Sequence, residues 1–268
     1  DSLSAIKRAM RNLSIDDKQL TPSLIHSLIS SAKNELIGPA AYAKLASGKA
    51  QAAAAQVYPA SQTLLKEAGA LDFDDLIFRT VEMFKSHPEI LTKYQQQFEY
   101  IMVDEYQDTN HAQYQITKLL AQGHQNICVV GDDWQSIYSW RGANFQNILD
   151  FEKDYPECTV IKLEQNYRST KRILDAAHAV IAKNRVRSDK MLWTDRGDGE
   201  GIGVINVYNE VQEAETIIAK VRELQLTEKR QLADFAVLYR TNAQSRSLEE
   251  GFLRAGMPYK IVGGTRFY

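Results

Sequence analysis

At 268 residues the chain can fold as one large domain or two modest ones, and its 44% hydrophobic and 25% charged content is that of an ordinary globular protein. With 32 basic against 34 acidic residues, the net charge of −2 excludes a general attraction to nucleic acid, so any such binding must come from a local patch. Two cysteines exclude a disulfide framework, and no apolar run approaches the roughly 20 residues of a membrane span.

Cys128 lies within an apolar run, which predicts a buried free thiol, and a reducing cytoplasm is the expected location. The opening Asp1-Ser2-Leu3-Ser4 has no initiator methionine and reads as a helix cap, which suggests a chain cut from something longer, with processing or an expression scar as the alternatives. From Leu3 to about Leu71 the apolar residues recur at helical spacing. Thr21-Pro22 predicts a helix start, with Leu24, Ile25, Leu28 and Ile29 on one face; Gly38-Pro39 breaks that helix, and an alanine-rich segment follows through Ala55. This region is expected to be a small all-helical lobe with a structural or interaction role. Gly48-Lys49 is not the end of a phosphate loop, because Ala43 stands where the first glycine should be and Ala50 where Ser or Thr should be.

The stretch from Leu71 to Phe78 begins another helix with Asp74 and Asp75 in its first turn, where the dipole favours them; Phe73 either packs there or stands exposed. Ile101-Met102-Val103 predicts a buried strand of a parallel sheet, ending at Asp104-Glu105. In open α/β sheets ligands bind beyond the carboxyl ends of strands. Two adjacent carboxylates there suit phosphoryl chemistry, one holding a metal ion and the other facing a water, although a strand that simply meets solvent can end the same way. A helix from about Asn110 to Ala121 and a second strand, Ile127 to Val130, complete a strand-helix-strand crossover.

That strand ends at Gly131, followed by Gln135, Tyr138, Trp140 and Arg141. A glutamine at the same sheet edge can touch both a phosphate and a water. Planar side chains beside a guanidinium stack on unpaired bases, whereas the plainer alternative packs the aromatics into the core. A third strand, Thr159 to Leu163, runs into Tyr167-Arg168-Ser169-Thr170; Ser169 or Thr170 caps a helix to about Lys183. Arg168 opposes that helix's dipole, as expected of a residue serving a ligand, with a surface ion pair as the alternative. Gly197, Gly199, Gly201 and Gly203 do not form the dinucleotide fingerprint, because Ile202 occupies its third glycine position; a flexible loop explains them. Strands at 204–208, 235–239 and 259–262 alternate with helices at 211–224 and 245–254, predicting a second parallel-sheet unit in which Arg240 and Asn242 follow a strand end. The five histidines show no metal-ligand spacing.

VDEYQDT, VGDDWQSIYSWRGA and LEQNYRST, in that order on successive strand ends, closely resemble motifs of the superfamily one DNA helicases of the UvrD, Rep and PcrA group, and look most like the PcrA enzymes of low-GC Gram-positive bacteria. LDFDDLI and LYRTNAQSRSLEE add weaker matches, so the resemblance covers essentially the whole chain. It implies an α/β fold with parts of two RecA-like parallel-sheet motor domains. A helical insertion subdomain over residues 1–66 would precede part of the first motor domain over 67–163 and part of the second over 164–268. It implies ATP and magnesium as cofactors, single-stranded DNA and single-strand/duplex junctions as partners, and work in DNA repair and replication. Asp104 would bind the metal, Glu105 would polarise the attacking water, Gln135 would report the γ-phosphate, Arg168 would act as an arginine finger and Tyr167 would stack near the adenine. Phe73, Tyr138, Trp140 and Arg141 would meet DNA in the first domain, and Arg240 with Asn242 would grip its backbone in the second.

The sequence departs from the pattern in having no Gly-x-x-x-x-Gly-Lys-Thr loop, no upstream adenine-reading glutamine motif and none of the later motifs. The expectation is a fragment of an ATP-dependent helicase moving three-prime to five-prime that does not hydrolyse ATP by itself. The alternatives are a non-catalytic single-stranded-DNA-binding module and a helicase subunit of a recombination nuclease complex.

Overall fold

A computed structural model describes residues 2–16, 19–139 and 142–262. It divides into two compact units, Asp1–Gly199 and Glu200–Tyr268.

The first unit begins with four helices, α1 (Ser2–Asn12), α2 (Pro22–Asn34), α3 (Pro39–Leu45) and α4 (Gly48–Glu67). Thr21 caps α2 through its hydroxyl, which accepts from Leu24 N at 3.3 Å, and Pro22 occupies the first turn, where no intrahelical donor is lost. Their apolar faces enclose a core of Ile6, Met10, Ile25, Ile29, Val57 and Tyr58. Burying each of the larger of these aliphatic side chains contributes about 1.5 to 3 kcal/mol. Gly48 opens α4 at φ +79° and belongs to no phosphate cradle.

Helices α5 (Phe73–Ser86) and α6 (Pro88–Gln97) lead to the sheet. Strand β1 (Ile101–Val103) pairs in parallel with β2 (Ile127–Val129), with Ile101 opposite Ile127 and Val103 opposite Val129. The crossover helix α7 (His111–Ala121) starts in a reciprocal cap: Gln113 N donates to Asn110 Oδ1 and Asn110 N to Gln113 Oε1, both at 2.9 Å. Ile101, Val103, Ile127 and Val129 are half-buried, whereas Met102 is 78% exposed and Cys128 is also exposed. The expected buried strand and buried thiol are therefore corrected. A two-stranded sheet covers one face with its own helices, and alternate side chains on the other face meet solvent.

Short helices α8 (Gln146–Leu149) and α9 (Phe151–Asp154) follow, then α10 (Lys171–Ile181). The strand expected over 159–163 does not form: Ile161 and Leu163 are 77% and 78% exposed, and Gln165 makes one isolated parallel bridge with Trp193.

The second unit is built on two α-helices, α11 (Glu210–Thr227), capped by Asn209, and α12 (Ser245–Arg254), with short 3-10 turns at Leu232–Asp234 and Asn242–Gln244 between them. Ile218, Val221 and Met257 form its core. Gly251 allows the two helices to approach, since a Cβ there would stand 2.7 Å from Ala214 Cβ. Residues 204–208, 235–239 and 259–262 form no strands. Their apolar side chains met the pattern for strands, but a strand also needs a hydrogen-bonded neighbour, and none is present among the described residues.

Candidate nucleotide and DNA site

The site begins where β1 stops. Asp104 and Glu105 are both exposed. Glu105 takes the left-handed conformation, φ +50° and ψ +41°, which costs a residue with a Cβ and is retained where the surroundings demand it. In this turn the Glu105 N–H donates to Asp104 Oδ1 at 2.9 Å. Among the described residues Asp104 Oδ2 has no hydrogen-bond partner, and a magnesium ion needs only one or two protein carboxylates beside nucleotide phosphates, so the chemistry of this side chain suits such an ion. Among the described residues no group of three His, Cys, Asp or Glu side chains forms a self-sufficient metal site.

Gln107, which sequence reasoning did not single out, ties this strand end to the next. Its side chain is fully buried; Nε2 donates to Glu105 Oε2 at 2.7 Å, and Oε1 accepts from Asp132 N at 2.9 Å. An amide satisfies both, because the carboxylate requires a donor and the backbone N–H an acceptor. Gly131 makes room: a Cβ there would lie 2.5 Å from Gln107 Oε1. The available signal was a polar side chain two positions past the carboxylates paired with a glycine at the neighbouring strand end.

Beyond β2, Gln135 is exposed and donates to Asp132 Oδ2 at 2.6 Å. Asp132 also accepts from Trp134 N at 2.9 Å and pairs with Lys190. Burial opposes its ionisation, but the hydrogen bonds from Lys190 and Gln135 prevail and hold its carboxyl below the usual value. Asp133 accepts from Ser188 N at 2.6 Å, Trp134 Nε1 donates to Ser188 O at 3.2 Å, and Lys190 Nζ lies 4.6 Å from the Trp134 ring centroid. The Gln135 turn is thus clamped to residues 188–190.

Arg168 is exposed, and its guanidinium makes no hydrogen bond or ion pair among the described residues, so it is free to meet a ligand. Asn166 shapes the turn by accepting from Arg168 N at 3.0 Å and Ser169 N at 2.7 Å. Tyr167, 74% exposed, donates to Gln165 Oε1 at 2.7 Å. No hydrogen bond joins Arg168 to Asp104, Glu105 or Gln135. The loop at Gly197 and Asp198 is more than flexible, since Gly197 O accepts from Lys171 N and Asp198 O from Arg172 N at the start of α10. These carbonyls satisfy donors that a helix start otherwise leaves open.

Residues 1–156 match the UvrD/REP helicase N-terminal domain, and residues 161–268 match the UvrD-like helicase C-terminal domain. The chain belongs to the UvrD/REP helicase family. It is 52% identical over 263 residues to the ATP-dependent DNA helicase PcrA of Leuconostoc citreum, covering 98% of this chain and 35% of that protein. It is 52% identical over 268 residues to that of Bacillus subtilis strain 168, covering all of this chain and 36% of the relative. Against the PcrA helicase of Staphylococcus aureus strain Mu50 the identity is 51%, over all of this chain and 37% of the relative. The chain therefore spans little more than a third of these relatives' length.

Within this UvrD/REP chain the aromatic and basic residues expected at DNA are spread widely. Phe73 is 90% exposed at the first position of α5, and Tyr138 is 38% exposed after the Gln135 turn. Trp140 and Arg141 lie outside the described residues. In the second unit Arg240 and Asn242 are exposed beside a tight turn, in which Arg240 N and Thr241 N both donate to Gln244 Oε1, at 3.0 and 2.9 Å. A groove of about 630 Å³ in that unit, lined by Asn209, Glu213, Arg246 and Arg254, includes neither.

Proposed function

We propose that this chain carries the hydrolytic half of the ATP site, and part of the DNA track, of an ATP-dependent DNA helicase that moves three-prime to five-prime on single-stranded DNA and opens single-strand/duplex junctions. The observation that carries this reading is the Asp104-Glu105 pair at the end of β1, joined through buried Gln107 to the Gln135 turn at the end of β2. Both the family and the relatives' names, ATP-dependent DNA helicase, support it.

Asp104 holds magnesium, which when bound neutralises charge on the phosphates. Glu105 orients and deprotonates the attacking water, Gln135 senses the γ-phosphate, Arg168 stabilises the transferring phosphoryl group and Tyr167 stacks near the adenine. A free guanidinium is what an arginine finger requires, a role worth about 10³ to 10⁵ in rate in comparable enzymes. Phe73, Tyr138, Trp140 and Arg141 contact DNA from the first motor domain, part of which spans 67–163; Arg240 and Asn242 contact it from the second, over 164–268. Residues 1–66 form the helical insertion.

These 268 residues contain no Gly-x-x-x-x-Gly-Lys-Thr loop, whose amides and lysine would cradle the β- and γ-phosphates. By themselves they are expected to show no DNA-stimulated ATP hydrolysis above background. Robust turnover by this chain, lost on Glu105→Gln, would show that the cradle is dispensable.

A further inference from the structure

Lysine is rarely withdrawn entirely from solvent, yet Lys33 on α2 is only 1% exposed. Its ammonium crosses to the start of α5, 2.5 Å from Asp72 Oδ2 and 2.9 Å from Asp75 Oδ1, with the Tyr58 ring centroid of α4 at 5.9 Å. Asp72 and Asp75 are also the reciprocal cap of α5: Asp75 N donates to Asp72 Oδ1 at 2.8 Å, and Asp72 N to Asp75 Oδ2 at 3.4 Å. Gln62 of α4 donates to Asp75 Oδ2 at 3.2 Å. One buried cation therefore fastens the first turn of α5 to the helical lobe.

Phe73 lies between these two carboxylates in sequence and is 90% exposed, flanked by Leu71 and Leu76 at 58% and 53%. A ring on a fraying helix end would lose conformational freedom whenever a partner stacked on it; on a fastened turn that loss has already occurred. Lys33 also compensates two negative charges that would repel a phosphate backbone passing the ring. An unpaired nucleobase, with its flat apolar face and attached phosphate, fits this combination.

We propose that Lys33 is a positioning residue for single-stranded DNA, holding the first turn of α5 through Asp72 and Asp75 so that Phe73 is presented as a stacking platform. The role rests on the reading of Phe73 as a DNA contact.

The test is a binding cycle with the 268-residue chain and an oligothymidylate carrying one 2-aminopurine. Phe73→Ala removes the platform. Lys33→Met/Asp75→Asn removes the clamp without changing net charge, and the triple variant combines them. Each of the first two changes weakens binding about five- to hundredfold, the range for loss of a stacked base. The triple variant binds no more weakly than Phe73→Ala, since Lys33 acts through the ring. Hydrogen exchange at the Asp75 amide accelerates in Lys33→Met/Asp75→Asn. Additive losses, or wild-type binding by Lys33→Met/Asp75→Asn, overturn the positioning role and leave Phe73 as a contact. Wild-type binding by Phe73→Ala, or no binding by the unaltered chain, removes both roles. Asp72→Ser keeps a capping oxygen but deletes its ion pair with Lys33, and it decides the matter if the double variant does not fold. It adds positive charge, so weakened binding supports the clamp, and unchanged or tighter binding overturns it.

Discussion

The amide of Gln107 donates to the Glu105 carboxylate at 2.7 Å from a fully buried position. Because the same side chain accepts the Asp132 N–H, the proposed base and the turn bearing Gln135 share one rigid connection. Replacing Gln107 by leucine strands the Asp132 amide and frees Glu105. Loss of stability by about 1 to 3 kcal/mol is expected, measured by denaturant unfolding, with faster hydrogen exchange at the Asp132 amide. Unchanged exchange there would show that the bridge does not persist in solution.

Gly131 tests the same bridge from the other strand. In Gly131→Ala the added methyl would stand 2.5 Å from Gln107 Oε1 and 2.8 Å from Ile148 Cδ1. Thermal unfolding should show a loss of about 1 to 3 kcal/mol, and combining the change with Gln107→Leu should cost less than the sum, because the clash with the amide oxygen disappears.

Local signals made much of the helical framework legible. The Ser245–Arg254 helix has the predicted bounds, Thr21-Pro22 opens α2, and Asn110 caps α7. These features depend on residues within a turn or two of each other. Residues 204–208 and 235–239 carry strand-like apolar patterns but form no strand, because ladder formation depends on a neighbour that the pattern does not encode. At the site, Asp104, Glu105 and Gln135 were legible as residues following strand ends. Gln107 was not, since a glutamine beside carboxylates is usually solvated and only the fold reveals its burial.

Lys33→Met should be costly as a single change. It leaves Asp75, 1% exposed, without its cation, and breaking a buried pair typically costs about 3 to 5 kcal/mol. In the unaltered protein burial opposes ionisation of Asp75, but the hydrogen bond and charge of Lys33 hold its carboxyl below the usual value. A depressed folded-state value contributes stability that is complete above the unfolded value, about 4, and is lost as pH falls through the folded value. Once Lys33 is gone, burial favours the protonated form and raises the folded value, so acidification from neutral pH down to the unfolded value, about 4, should stabilise the variant relative to its own neutral state. Chemical denaturation between pH 3 and pH 7, on both proteins, checks the reversal of sign.

Cys128 is exposed on the sheet face that also presents Met102. A maleimide reagent should modify it in the native chain at nearly the rate of an unfolded control. Protection of a hundredfold or more would mean that this face is covered in solution.

The carboxylate at the end of β1 is the centre of the account, and Glu105→Gln tests it most directly. The change belongs in a protein spanning the full length of the PcrA relatives, with ATP turnover measured at saturating single-stranded DNA and nucleotide binding measured separately. The account predicts a fall in kcat of about 10² to 10⁴, the usual contribution of a general base, with ATP affinity changed by no more than a few-fold. Hydrolysis by Glu105→Gln at the wild-type rate would contradict it.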